Sequence, residues 1–197
     1  MRRAAGVIAA CVILAVTAAP AGALTKTVDM VDLAFDPKGI SVAQGDSVQW
    51  HNAGVRTHTA TQDAPLALFN TGNVNAGNTS AAKLLTAAGS YPYHCAIHPS
   101  MVGTVKVPVK VSPMMGTTST VFTVTVASQA APTGFVYDVQ RRTGADGSWT
   151  VYRRGVTAAT VTFQATSAGS YSFRSILRRV STGAKSRPSP AKTVTVS

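Results

Sequence analysis

Cysteine is almost missing from this chain. Only Cys11 and Cys95 occur in 197 residues, and Cys11 lies in an N-terminal stretch that reads as an export leader. A mature chain with one thiol cannot close an internal disulfide, so Cys95 is inert and buried, reactive, or a ligand. Histidine is scarce as well, with four in all: His51, His58, His94 and His98. Acidic residues number seven against eighteen Lys and Arg. Residues 112–197 contain no His, Cys or Glu and only Asp138 and Asp146, which leaves that half without the groups that general acid–base or metal chemistry needs.

The leader reads in three parts: Arg2-Arg3, an apolar run from Ala4 to Ala19, and Ala21-Gly22-Ala23 as an A-x-A cleavage signal. Cleavage is expected after Ala23, giving a secreted or periplasmic, extracytoplasmic protein. The apolar run is shorter than the roughly 18 residues a spanning helix needs. Ile8-Ala9-Ala10-Cys11 loosely resembles a lipobox, but lipoprotein processing there would leave most of the apolar run behind the cysteine. Beyond residue 23 the charge is uneven. Residues 24–111 carry six basic residues and five Asp, about +1, whereas 112–197 carry ten basic residues and two Asp, about +8. Two domains are expected, 24–111 and 120–197, joined by a linker of turn formers and small polar residues at 112–119. The Val107-Pro108-Val109-Lys110-Val111 stretch could close the first or open the second.

Both halves read as strands. In the first, Val28–Phe35 alternates in part, Ile40-Ser41-Val42 and Val48-Gln49-Trp50 flank a Gln44-Gly45-Asp46 turn, and Lys83–Thr86 precedes a turn at Ala88-Gly89. Short strands at such spacing mean β-sandwiches, so the fold class expected is all-β.

Chemistry concentrates in Tyr91–Val107, YPYHCAIHPSMVGTVKV. Side chains alternate faces along a strand, so Tyr91, Tyr93 and Cys95 share one face and Pro92 and His94 the other. After a short loop, Met101, Gly103, Val105 and Val107 resume the inward face. Cys95, His98 and Met101 are thus presented from one loop, as a metal pocket lacking one ligand. A second imidazole would complete a His2Cys set with a weak thioether, which suits copper. His94 faces away from Cys95, and His51 faces away from Val48, Trp50 and Asn52. His58 remains.

The run from about Lys26 to Val107 resembles a plastocyanin-like cupredoxin domain. The resemblance rests on DPKGISVAQGDSVQWHN at 36–52, His58 followed by Thr-Ala-Thr, FNTG at 69–72, and AGSYPYHCAIHPSMVGTVKV at 88–107. The C-x-x-H-x-x-M spacing is similar to that of amicyanins. It implies a Greek-key sandwich and one type 1 copper held by His58, Cys95 and His98 with Met101 axial. Amicyanin-like domains usually place Asn or a similar hydrogen-bonding residue after the first ligand His; this chain has Thr59. The resemblance also implies that the outer edge of His98, beside Ile97 and Pro99, is where electrons pass to a redox partner protein.

In the second half, the Gly134–Arg142 strand, the Gly147-Ser148-Trp149-Thr150 hairpin, the Tyr171–Arg174 strand and Ser189-Pro190-Ala191 resemble a fibronectin type III-like, immunoglobulin-like sandwich. The pairs Arg141-Arg142, Arg153-Arg154 and Arg178-Arg179 are expected to give it a positive face for an anionic cell-envelope surface or an acidic partner. Nucleic acid does not fit an exported chain. The expectation is an electron carrier and not an enzyme, since multicopper oxidases and nitrite reductases need further His clusters that four histidines cannot supply. The rival is an envelope copper-binding or copper-delivery protein with the same ligands and no dedicated electron-transfer chain.

Overall fold

The structure, a computed structural model, describes residues 23–197. Residues 1–22 of the expected leader, with Cys11, lie outside the described residues. Among the described residues there is no helix. Eight strands build the first sandwich: β1 (Thr25–Val31), β2 (Ala34–Asp36), β3 (Gly39–Ser41), β4 (Asp46–Asn52), β5 (Thr61–Gln62), β6 (Lys83–Leu85), β7 (Gly89–His94) and β8 (Val102–Val107). They form two four-stranded sheets, in the orders β2-β1-β4-β6 and β3-β8-β7-β5. Each is mixed: β1 runs parallel to β4 and β3 parallel to β8, with the other pairs antiparallel.

Alternation does the folding. In β4, Asp46, Val48, Trp50 and Asn52 are buried and the residues between them are half-buried. In β7, Gly89, Tyr91 and Tyr93 are buried in the same way. The two inner faces meet over Trp50, Tyr93, Phe35 and Phe69, with Trp50 and Tyr93 edge-on at 5.4 Å between centroids. Such ring pairs add to stability beyond the area they bury. Gly103 stands directly opposite Tyr93, and a Cβ there would collide with the Tyr93 ring. Burial pushes the Tyr93 hydroxyl up to about 12, only partly offset by the nearby Trp50 indole.

The second sandwich comprises β9 (Lys110–Ser112), β10 (Met115–Gly116), β11 (Val121–Thr125), β12 (Phe135–Thr143), β13 (Thr150–Val156), β14 (Thr160–Gln164), β15 (Gly169–Arg179) and β16 (Lys192–Val196). Its sheets run β14-β11-β9 and β10-β16-β15-β12-β13. The crossover between domains comes earlier than the composition suggested. Lys110–Ser112 pair with β11 in the second sandwich, so the chain crosses at Pro108-Val109. Within the 112–119 segment read as a linker, Met115 and Gly116 pair with β16. The segment carries the chain from one sheet of this sandwich to the other.

The sandwiches are joined by backbone hydrogen bonds. Ala88 N–H donates to Val126 O at 2.8 Å, Ser128 N–H donates to Thr86 O at 2.8 Å, and Ser90 and Arg187 exchange amide bonds at 3.0 and 3.2 Å. Buried Gln44 donates its amide to both Pro108 O and Thr125 O. Ala88-Gly89, a turn on sequence grounds, is instead where β7 begins at this interface.

The three arginine pairs do not share a face, because neighbours on a strand point oppositely. Arg141 lies 5.5–5.9 Å from the Tyr152, Phe163 and Tyr171 rings, while Arg142 lies over Trp149. Arg179 stacks on Phe135 and donates to Leu66 O in the first sandwich. Arg178 instead grips Asp138 with two bonds, at 2.7 and 3.0 Å. Burial pushes the Asp138 carboxyl up, but Arg178 and the Gly155 amide outweigh it and hold its pKa below the ordinary value. That stabilisation is present above the unfolded carboxylate pKa, near 4, and is lost as pH falls through the folded one. Asp138→Asn is therefore expected to cost about 2 kcal/mol at pH 7 and to flatten the acid limb of the stability curve below about pH 4, read by denaturant unfolding from pH 2 to 7.

Candidate metal centre

Cys95 follows the last residue of β7, and Met101 precedes β8. Cys95 N–H donates to Met101 O at 2.9 Å, closing the loop, and inside it His98 N–H donates to Cys95 O and Met101 N–H to His98 O. Five residues are thus fixed by their own backbone. Cys95 and Met101 are fully buried, as the alternation required, and His98 is half-buried.

His58 arrives from the other sheet's side. Its backbone exchanges two hydrogen bonds with Val74, at 3.1 and 2.8 Å. Asn52, buried at the end of β4, donates its side-chain amide to Arg56 O and Val74 O, both at 2.7 Å, and accepts from Gly54 N–H. This single amide ties both flanks of the His58 loop to the core.

Three donor atoms meet as a result. His58 Nδ1 and His98 Nδ1 are 3.2 Å apart, and Cys95 Sγ lies 3.9 Å from the first and 3.6 Å from the second. Bonded to one ion at about 2.0 Å for nitrogen and 2.3 Å for sulfur, such atoms are at most about 4.3 Å apart. All three separations meet that limit. Two imidazoles and a thiolate, with a thioether in the same loop, are a donor set for copper. His51 and His94 are elsewhere: each faces outward and pairs with an aspartate, His51 with Asp29 at 3.2 Å and His94 with Asp63 at 2.6 Å.

Thr59 links the two ligand-bearing loops. Its N–H donates to Cys95 Sγ at 3.3 Å, and its Oγ1 accepts from Ala96 N–H at 2.8 Å. The hydroxyl is 4.0 Å from the sulfur and 3.2 Å from Thr61 Oγ1. Threonine therefore ties the cysteine loop to the histidine loop through its oxygen, and the backbone amide serves the sulfur.

Sequence reasoning did not single out Asp32. Its Oδ1 lies 3.5 Å from the buried Nε2 of His58 and accepts from Val55 and Arg56 N–H. Desolvation raises its pKa, and the Arg56 amide, His58 and the Val55 amide together bring it below the ordinary carboxylate value. The carboxylate favours a proton on Nε2, so that the Nδ1 lone pair faces the sulfur. Twenty-six residues separate the two, and nothing local in the sequence marks the contact.

The family model of the cupredoxin-like domain matches residues 4–107. Among solved structures, a purple cupredoxin from Nitrosopumilus maritimus aligns at 22% identity over 41% of this chain and 97% of that one, with a TM-score of 0.39. A reduced mutant of amicyanin aligns at 26% identity over 42% of this chain and 81% of that one, TM-score 0.39. The Cu-containing nitrite reductase from Thermus scotoductus SA-01 aligns at 30% identity over 48% of this chain, TM-score 0.41, and the match spans 24% of that enzyme. No curated protein matches. With the family model matched over more than half its length, the chain belongs to the cupredoxin-like family.

Proposed function

We propose that this protein is an exported one-electron carrier whose copper is held by His58, Cys95 and His98, with Met101 as the axial ligand. The observation that carries the reading is the convergence of three donor atoms within 3.2–3.9 Å in a pocket walled by buried side chains. Bound there, copper supplies the Cu(I)/Cu(II) couple. The chain's own part is to keep the donors still. His58 is fixed by Val74 and Asn52, Cys95 by Met101 and Thr59, and His98 by the amides of its loop, so the ligand set has little freedom to rearrange with charge.

His98 is the half-buried member of the set. Ile97 beside it is 47% exposed and Pro99 is exposed, which supports a redox partner docking at that edge. His51 and His94 lie away from these ligands, each engaged with an aspartate. The excess positive charge of residues 112–197 supports attachment to an anionic envelope surface. The strand orders of the second sandwich, three strands facing five, support the fibronectin type III-like reading.

Adding Cu(II) to the mature protein is expected to produce an intense visible band that Cys95→Ser lacks. Ascorbate should bleach it and ferricyanide restore it over repeated cycles with copper retained. A colourless copper complex, or loss of Cu(I) to a chelator at the first reduction, would point to copper delivery instead. Thr59→Val leaves Ala96 N–H without its acceptor and is expected to weaken copper binding about 10–100-fold in a competition titration, whereas Thr59→Ser keeps the oxygen and the affinity.

A further inference from the structure

The outer face of the five-stranded sheet carries two cations that nothing in the copper site uses. Arg142 lies near the end of β12, and Arg174 lies diagonally across from it on β15, where Gln140 faces Arg174 and Arg142 faces Ser172. Both guanidinium groups stack on Trp149, in the β12–β13 hairpin, with Cζ 5.0 and 4.2 Å from the ring centroid. Gln140 Oε1 accepts from Arg174 Nε at 2.6 Å, which orients that fork and leaves its two terminal nitrogens free. Arg142 Nε is buried without a hydrogen-bond partner. Burial and the neighbouring Arg142 charge both lower the Arg174 pKa, so the two cations act on each other.

No carboxylate answers them among the described residues. Asp138, on the same face, is engaged by Arg178 and the Gly155 amide, and Asp146 makes no ion pair. Ser172, opposite Arg142, is buried and shares its hydroxyl with Thr193 Oγ1 at 2.8 Å. Two planar forks stacked on the same indole and left without an anion match the oxygens of a phosphate group, which arginine takes bidentately.

We propose that Arg142 and Arg174, stacked on Trp149, form a binding site for a phosphate group. The site gives the anionic-surface reading of the second sandwich a specific location, though it stands apart from the copper centre and from whether electrons pass there. It lies at the end of β12 away from Phe135, which packs against Arg179 at the domain interface.

Trp149 reports on the site directly, because Trp50 is fully buried in the other sandwich and Trp149→Phe supplies the blank. Inorganic phosphate titrated into the full two-domain protein at constant ionic strength is expected to give a saturable fluorescence change. Arg142→Gln and Arg174→Gln should each weaken it about tenfold, and Arg153→Gln, an equal loss of charge on Tyr152, should not. Arg174→Lys keeps the charge and should also bind more weakly, which guards against a variant that merely misfolds. Vesicles of phosphatidylglycerol in phosphatidylcholine distinguish the source. Binding that inorganic phosphate competes away and the same variants weaken marks a lipid headgroup, and a phosphate response with no vesicle binding marks a free phosphate. No saturable response, an equal response to chloride, or an equal response in both Gln variants overturns the site. Vesicle binding that is identical in every variant, with a phosphate response that none of them changes, also overturns it, while leaving the broader attraction to anionic surfaces intact.

Discussion

The register of β7 against β8 is the constraint on which the copper end depends. Tyr91 faces Val105 and Tyr93 faces Gly103, so two residues further on Cys95 and Met101 come opposite each other on the inner face. A slip of β7 by one residue would turn Cys95 outward and bring His94 in, leaving the two sulfurs on opposite faces. Gly103 helps to fix that register, because only a residue without a Cβ leaves room for the Tyr93 ring. Tyr93 in turn packs on Trp50, Phe35 and Phe69. The aromatic core and the position of the thiol are therefore one decision, taken in the packing of the sandwich and read out at its end.

The histidine side is held differently. His58 lies on no long strand; a two-bond bridge to Val74 and the side-chain amide of Asn52 position it. Thr59 then couples it to the cysteine loop, and Asp32 faces its far nitrogen. The Asn52 and Thr59 contacts are hydrogen bonds in a buried or half-buried setting, where a satisfied bond holds firmly because losing it is costly. The ligands on the two loops are thus held by the same network, and moving one strains the other.

What could be read from the letters follows the same division. Alternation along Tyr91–Val107 and Ser47–Asn52 sorted four histidines into two candidates and two outward residues, because the period of a strand is a local property. His58 with Cys95 and His98 followed, and the three do meet. Asp32 was not legible, since its role depends on a turn between β1 and β2 folding over a residue twenty-six positions away. Asn52 was legible as inward but not as the clamp on the His58 loop. Whether Val107–Val111 closes the first sandwich or opens the second stayed open in the sequence because Lys110–Ser112 resemble any strand end, and only the partner β11 shows which sandwich owns them. Each arginine pair splits between the two faces for a reason that was in the sequence all along, since adjacent strand residues point oppositely, and this leaves Arg142 and Arg178 on the face that carries Asp138.

The interface sits at the start of β7, where Ala88 and Ser90 bond to Val126 and Arg187, and the metal loop sits at its end. Six residues of extended chain, about 20 Å, separate the two. In the second sandwich Phe135 begins β12 beside Arg179 at the interface, and Arg142 lies seven residues on, about 23 Å along the strand. Both functional ends thus point away from the junction along strands that are themselves paired on both sides. An anion held at Arg142 and Arg174 would not cover His98, and a partner at His98 would not displace the anion. With the junction made of backbone hydrogen bonds and the buried Gln44 amide, and not of a free tether, attachment at one end also fixes the direction in which the copper edge faces. If the protein meets its partner at the half-buried His98, as proposed, that orientation raises the fraction of encounters that are productive without any change at the metal.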